Sequence, residues 1–162
     1  MLSAEQKKLK NLTKLVDGIV SSLDETYRVR RTNSEYDDNR VSELWANLTM
    51  IQQMNGNDHW LTLSSKSGKS WQEFITKLIK SRGSRVIVFE NSEMIFGFAY
   101  MVLENKNANN PKQKPSLKAT IKELYLEPKF RKQANKPEMA EMMQTCLMDM
   151  GIEFIEFDVK DL

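Results

Sequence analysis

The sequence predicts an α/β domain built on a mixed, largely antiparallel twisted sheet with helices on both of its faces. Three observations lead to this fold class. Stretches of helical periodicity are followed by short β-branched and apolar runs. The middle of the chain holds two such runs separated by a turn, which is typical of an antiparallel hairpin. The final strand, helix and strand then follow in the order of a right-handed parallel crossover, so the sheet is mixed.

The first half of the chain is predominantly helical. Residues 4–25 predict a helix, which we expect to pack on its own domain, with partner binding as the alternative. Residues 27–31 predict a short strand, and a second helix follows to about Met54. Residues 55–69 are polar and rich in turn formers, which predicts a connecting segment, and a third helix is expected over 70–80.

The hairpin and the loop after it are predicted from composition. Residues 85–90 and 94–103 are apolar and rich in β-branched and aromatic side chains, and a short Asn-Ser-Glu turn separates them. Residues 105–116 are rich in Asn, Lys and Pro, which predicts a mobile loop.

The last third of the chain predicts a strand, a helix and a strand. The strand covers residues 118–127 and ends at Pro128, which cannot donate a ladder hydrogen bond. A helix begins near Pro137, which suits a first turn, and Gly151 ends it. Residues 152–159 then predict the final strand.

Composition excludes several classes of protein. The chain has 162 residues, a formal net charge of +2, one cysteine and one histidine. This is the size of one domain, and the balanced charge gives no case for nucleic-acid binding. No apolar run is long enough for a membrane span, no signal peptide is recognisable, and a cytoplasmic location is expected. With His59 as the sole histidine a His-rich metal site is excluded, and Cys146, on the apolar stripe of a helix, is expected in the core.

Four segments carry a resemblance to a known family. Residues 121–131 resemble the fourth strand and following turn of GNAT-superfamily N-acetyltransferases, and residues 94–100 resemble their third strand, including its glycine. Residues 27–30 resemble their first strand, and residues 151–159 their third helix end and fifth strand. The resemblance implies a GNAT-like domain over residues 26–162, with residues 1–25 as a helical extension.

The resemblance also implies a binding site for acetyl-CoA. The backbone of Leu124, Tyr125 and Leu126 would pair with the pantetheine arm. The following loop would hold the pyrophosphate at a helix N-terminus, where free N–H groups favour anions. Its residues are Arg131, Lys132, Gln133, Ala134, Asn135 and Lys136. In the family this loop carries two small residues, mostly glycines; here Ala134 and Lys136 stand in their place, and Lys136 would either obstruct the phosphate or bind it.

The activity implied is transfer of an acetyl group from acetyl-CoA to a primary amine of a small molecule or a protein, in a ternary complex and without a metal. Glu123 would take the proton of the amine; the alternative is that its side chain faces solvent or is paired. A catalytically inactive binding or assembly module is a competing interpretation, and a fragment of a complete enzyme is another.

The end of the chain leads to an expectation about assembly. The family continues past the fifth strand with a helix and two strands, so the fold is expected to be truncated after that strand. Residues 154–159 are apolar on both faces. An open, apolar edge invites pairing, so we expect either cover from the N-terminal helix or a homodimer through this strand.

Overall fold

The computed structural model describes residues 3–9, 11, 26–107, 109–114, 116–131 and 137–159. This part of the chain contains one sheet of five strands in the order β1-β2-β3-β4-β5. The strands are β1 (Arg28–Arg31), β2 (Ser84–Glu90), β3 (Ile95–Asn105), β4 (Leu117–Leu126) and β5 (Ile152–Phe157). Neighbours from β1 to β4 are antiparallel, and β5 runs parallel to β4. The predicted mixed, largely antiparallel sheet is confirmed.

The helices lie between these strands. They are α1 (Glu35–Met54), α2 (His59–Lys66), α3 (Trp71–Ile79) and α4 (Pro137–Asp149), and a short 3₁₀ turn covers Pro128–Phe130. Residues 4–9 are also helical. The rest of the helix predicted over 4–25 falls mostly outside the described residues.

Helix α1 forms where the sequence places a cap and an apolar stripe. Ser34 precedes the helix in extended conformation, and its side chain accepts a hydrogen bond from the Asp37 N–H at 3.2 Å. Val41, Leu44, Trp45 and Leu48 follow at helical spacing, and all are fully buried. The stripe faces the sheet, so α1 packs on it along its length.

The sheet separates two hydrophobic cores. One lies between the sheet and helices α1, α2 and α3, and it includes Trp45, Phe98 and Tyr125. The other lies between the opposite face and α4, and it includes Phe96 and Leu147. Helices therefore cover both faces, as predicted.

The polar, turn-rich segment over residues 55–69 contains a helix, α2, that the sequence analysis did not predict. This helix is short and mostly polar, so its sequence has no apolar stripe to reveal it. Trp60 is the one large aromatic side chain in this helix. It is buried, and its ring packs edge to face against that of Trp45, with the centroids 5.0 Å apart. One anchoring aromatic side chain thus holds α2 against the core.

Candidate active site

Within the described residues, strand β4 is paired on both sides over its first half and on one side over its second half. Strand β3 pairs with β4 from Leu117 to Leu126. In the described part of the chain, the pairing with β5 stops at Ile121, which lies opposite Phe157. We call residues 117–121 the closed half of β4 and residues 122–126 its open half. Strands β4 and β5 diverge beyond Ile121 and Phe157, and we call the gap between them the fork.

A β-bulge marks the boundary between the halves. Tyr100 of β3 lies opposite Glu123 and the next residue, Met101, lies opposite Ile121, so Lys122 is the extra residue. The bulge changes which face successive side chains occupy. Ile121 belongs to the α4 core, whereas Tyr125 belongs to the core under α1. Glu123 is thereby directed toward α1 and α2.

In the open half, the backbone N–H and C=O groups of successive residues point alternately toward β3 and toward the fork. The N–H of Glu127 donates to the Phe96 carbonyl of β3 at 2.9 Å. By alternation, the N–H groups of Leu124 and Leu126 face away from β3, toward the fork. The carbonyl oxygen of Leu126 accepts a bond from Arg131 Nε at 3.2 Å, which agrees with this direction. The open half therefore offers backbone hydrogen-bonding groups on the fork side.

Glu123 is held in a buried position by two neutral donors. Only 8% of the residue is exposed. Trp60 Nε1 donates to its Oε1 at 2.5 Å. Gln52 Nε2 lies 3.3 Å from Oε1 and 3.2 Å from Oε2. A carboxylate can remain in the interior when its oxygens accept hydrogen bonds of this kind. Of the alternatives stated for Glu123, a side chain facing solvent is excluded and a paired side chain agrees with these hydrogen bonds.

The Glu123 carboxyl lines a cavity of about 300 Å³ at the fork. The lining comes from the end of α1, the start of α2, strands β3 and β4, and the segment after β5. The lining residues are Gln52, Asn57, His59, Trp60, Tyr100, Val102, Lys122, Glu123 and Asp158. Lys122 Nζ lies 2.7 Å from Asp158 Oδ2, which forms an ion pair between two of these lining residues. A general base here would have space beside it for a reactant.

The other residues predicted to bind the cofactor differ in the direction of their backbone and side-chain groups. Leu124 and Leu126 present backbone groups to the fork. Tyr125 points its ring into the aromatic core, where burial raises the pKa of its hydroxyl. The backbone of Tyr125 faces β3, since the fork-side groups belong to its neighbours. Arg131 is exposed beside the end of the open half.

The rest of the predicted phosphate loop cannot be compared with the structure. Lys132, Gln133, Ala134, Asn135 and Lys136 lie outside the described residues. Helix α4 begins directly after them at Pro137. The roles predicted for these residues stay predictions.

Other features are less suited to catalysis. A cavity of about 530 Å³ lies at the start of α1, but it is a wide, polar depression lined by surface side chains such as Lys80 and Arg85. Burial raises the pKa of the half-buried Cys146 thiol, which makes it a poor nucleophile. Within the described residues, no group of three or more acidic, His or Cys side chains could hold a metal ion. Nor is any described helix both long and apolar enough to traverse a bilayer.

Comparisons with known proteins place the fold. No protein-family model matches the sequence, and no curated protein matches it. Among solved structures, an acetyltransferase from Vibrio fischeri has 21% identity and a TM-score of 0.53, over 81% of this chain and 94% of that one. A ribosomal-protein-alanine N-acetyltransferase from Brucella melitensis has 7% identity and a TM-score of 0.58, over 85% and 83%. An aminoglycoside acetyltransferase from an uncultured soil sample, in complex with sisomicin, has 15% identity and a TM-score of 0.56, over 86% and 80%.

These likenesses define the fold of the chain. It has the fold of GNAT N-acetyltransferases, an α/β fold with a curled five-stranded mixed sheet. At these levels of identity the similarity extends to architecture and not to substrate.

Sequence reasoning named Glu123 as a candidate and did not indicate the side chains around it. Gln52 and Trp60 are 71 and 63 residues away along the chain, so no local spacing connects them with Glu123. Lys122 and Asp158 are 36 residues apart. The one available signal was Trp60, a large aromatic side chain in a mostly polar segment.

Proposed function

We propose that the chain transfers an acetyl group from acetyl-CoA to a primary amine by direct attack within a ternary complex. The observation that carries this proposal is the buried Glu123 carboxyl beside a cavity at the fork. It lies on a fold shared with acetyltransferases of known structure. Hydrogen bonds from Trp60 and Gln52 fix the position of this carboxyl group, and the cavity beside it leaves space for a substrate.

In this proposal, separate groups of residues bind the pantetheine arm and the pyrophosphate of acetyl-CoA. The fork-side backbone of Leu124 and Leu126 binds the extended pantetheine arm as an additional strand would bind. Arg131 and the loop to Lys136 hold the pyrophosphate at the start of α4. Positioning of the two reactants supplies a large part of the rate enhancement.

Glu123 acts on the acceptor. The amine nitrogen attacks the thioester carbonyl carbon; a C–N bond forms and the C–S bond breaks, so that CoA leaves as a thiolate. Glu123 takes the proton that the amine nitrogen gives up, directly or through a water molecule. Trp60 and Gln52 hold the carboxyl in place throughout.

A release assay for free CoA tests this proposal. The chain is mixed with acetyl-CoA and a panel of alkylamines, amino sugars and peptides with free N-termini. We expect thiol release with at least one of them, reduced about 100-fold or more in Glu123→Gln. Glu93→Gln, which alters an exposed glutamate in the β2–β3 turn, is the matched control and should leave the rate unchanged. Equal rates for the two variants would contradict the role of Glu123.

A second candidate function is an assembly module without turnover, and one observation favours it. Strand β5 is at the edge of the described sheet, and Phe154, Ile155 and Phe157 are 45%, 39% and 61% exposed. Pairing of this strand with a second copy would give a homodimer. Light scattering tests it: we expect a dimer that Phe157→Lys dissociates. A monomeric chain that releases CoA would exclude this candidate.

A further inference from the structure

Arg40 connects helix α1 with the strand ends beside the proposed cofactor site. Its Nε donates to the carbonyl oxygen of Ile95, the first residue of β3, at 2.9 Å. Its Nη2 forms an ion pair with Glu127, which directly follows the open half of β4. The side chains of Arg40 and Glu127 are only 20% and 24% exposed. Arg40 therefore neutralises a carboxylate that has little access to water.

The Arg131 guanidinium lies close to the same carboxylate. Glu127 and Arg131 flank the short 3₁₀ turn, and Arg131 Nε donates at 3.2 Å to the carbonyl oxygen of Leu126, the residue before Glu127. Burial raises the pKa of the nearby Tyr125 hydroxyl, and the charges of Arg131, Glu127 and Arg40 also contribute to the shift. The three charged side chains thus form one cluster at the end of the open half.

Within this cluster the Arg131 guanidinium is not committed to a carboxylate. Among the described residues it forms no ion pair, and it donates only to the Leu126 carbonyl. The Glu127 carboxylate is bonded to Arg40 instead. Guanidinium groups bind phosphate through paired N–H donors, so Arg131 can serve the pyrophosphate as long as Glu127 does not bind it.

The cluster also has an alternative pairing. Removing one partner of a mostly buried ion pair leaves a charge that is costly to keep unpaired, so a neighbouring cation is drawn to it. Without Arg40, that cation is Arg131, because Lys129, the other basic side chain of the turn, lies over the Phe130 ring. A pair between Arg131 and Glu127 would compete with the pyrophosphate.

From these contacts we propose that Arg40 is a positioning residue for the cofactor: it holds Glu127 and thereby keeps Arg131 available for the pyrophosphate of CoA. Arg40 acts through Arg131 and does not itself contact CoA. This inference rests on the proposed function, in which Arg131 binds that group. It predicts that the effects of Arg40 and Arg131 on CoA affinity are not additive.

Calorimetric titration of the full chain with CoA tests this proposal. Arg40→Gln should weaken binding about tenfold, as for the loss of one charge-assisted hydrogen bond. Adding Glu127→Gln to this variant should restore the affinity, because the competing carboxylate is then neutral. In a chain that carries Arg131→Gln, Arg40→Gln should have no further effect. Arg82→Gln makes the same charge change on an exposed turn and should leave the affinity unchanged.

A conservative variant separates positioning from support of the fold. Arg40→Lys keeps a cation beside Glu127 but loses the planar fork that bonds Glu127 and Ile95 together. We expect it to retain most of the CoA affinity. An equal loss of affinity in Arg40→Lys and Arg40→Gln would show that Arg40 only supports the fold.

The outcomes also separate this inference from the proposed function. Additive losses from Arg40→Gln and Arg131→Gln, or no recovery with Glu127→Gln, would overturn the positioning role even if the chain transfers acetyl groups. The expected binding pattern without any CoA release from acetyl-CoA would support the positioning role and contradict the transferase. No CoA binding by the unaltered chain would contradict both.

Discussion

The two halves of β4 are of equal length and each contains two polar residues, yet their backbones are paired differently. In the closed half, Ile121 is fully buried and its strand is hydrogen-bonded on both sides. In the open half, β3 pairs with the strand on one side and the other side faces the fork. The bulge at Lys122 separates the halves and turns Glu123 toward α1 and α2.

The difference gives one strand two roles: the closed half stabilises the sheet, and the open half carries the chemistry that we propose. Full pairing fixes the closed half by satisfying its backbone groups within the sheet. The open half is held by side-chain packing and by β3. Among the described residues no strand pairs with its fork side, where we propose that a ligand binds. The following predictions test that division.

The largest effect is expected in the closed half. Ile121→Ala should lower the free energy of unfolding by about 2–5 kcal/mol, because it leaves a cavity in the α4 core. Leu124 lies in the open half and is half-buried, so Leu124→Ala should lower the free energy of unfolding by only about 1–2 kcal/mol. Urea unfolding of both variants measures the two values. Equal losses would contradict the distinction between the halves.

The next effect concerns the anchoring of α1, which carries Gln52 to the site. Arg30 donates to the buried Asp37 carboxylate at 2.6 and 3.0 Å, and it also pairs with Glu90 at 2.8 Å. Asp37→Asn should lower the free energy of unfolding by about 3 kcal/mol. This is the lower end of the range for breaking a buried ion pair, because Arg30 remains paired with Glu90. Thermal or urea unfolding at pH 7 checks the value.

The same cluster predicts a dependence on pH. Hydrogen bonds from Arg30 hold the pKa of Asp37 below its usual range, and they do the same for Glu90. A lowered pKa in the folded state gives stability that is present above the unfolded pKa, about 4, and is lost as the pH falls through the folded value. The cost of Asp37→Asn should therefore shrink below about pH 4. A cost that stays constant down to pH 2 would contradict the assignment.

A smaller effect is expected at Gly97, which lies opposite the open half. A Cβ there would lie 2.6 Å from the Tyr125 carbonyl oxygen and would overlap the Leu126 side chain. Gly97→Ala should therefore push β3 and β4 apart and cost about 1–3 kcal/mol. Gly83→Ala is the matched control, because no atom lies within 4 Å of the added Cβ. Similar stability for the two variants would show that this close approach is unimportant.

The sequence predicted those parts of the fold that local patterns determine. The apolar spacing of Val41, Leu44 and Leu48 indicated α1, and the β-branched runs indicated the hairpin of β2 and β3. Gly151 has a φ of 81° and was correctly expected to end α4. Helix α2 was missed because it is held by Trp60 and not by an amphipathic pattern.

The candidate site was less predictable, since it depends on contacts between distant residues. Glu123 was chosen through a family resemblance, and nothing in its neighbourhood in the sequence indicates that Gln52 and Trp60 bond to it. The bulge at Lys122, which turns Glu123 toward those partners, has no glycine or proline to signal it. Register defects of this kind arise from the packing of the whole sheet.

The central claim is that the open half of β4 binds acetyl-CoA through its backbone, and hydrogen–deuterium exchange tests it most directly. With saturating acetyl-CoA, we expect slower exchange in peptides covering residues 122–127, from the N–H groups of Leu124 and Leu126. Peptides covering the closed half, 117–121, should change little because their groups are already paired. Unchanged exchange over residues 122–127, or protection confined to another part of the chain, would contradict the claim.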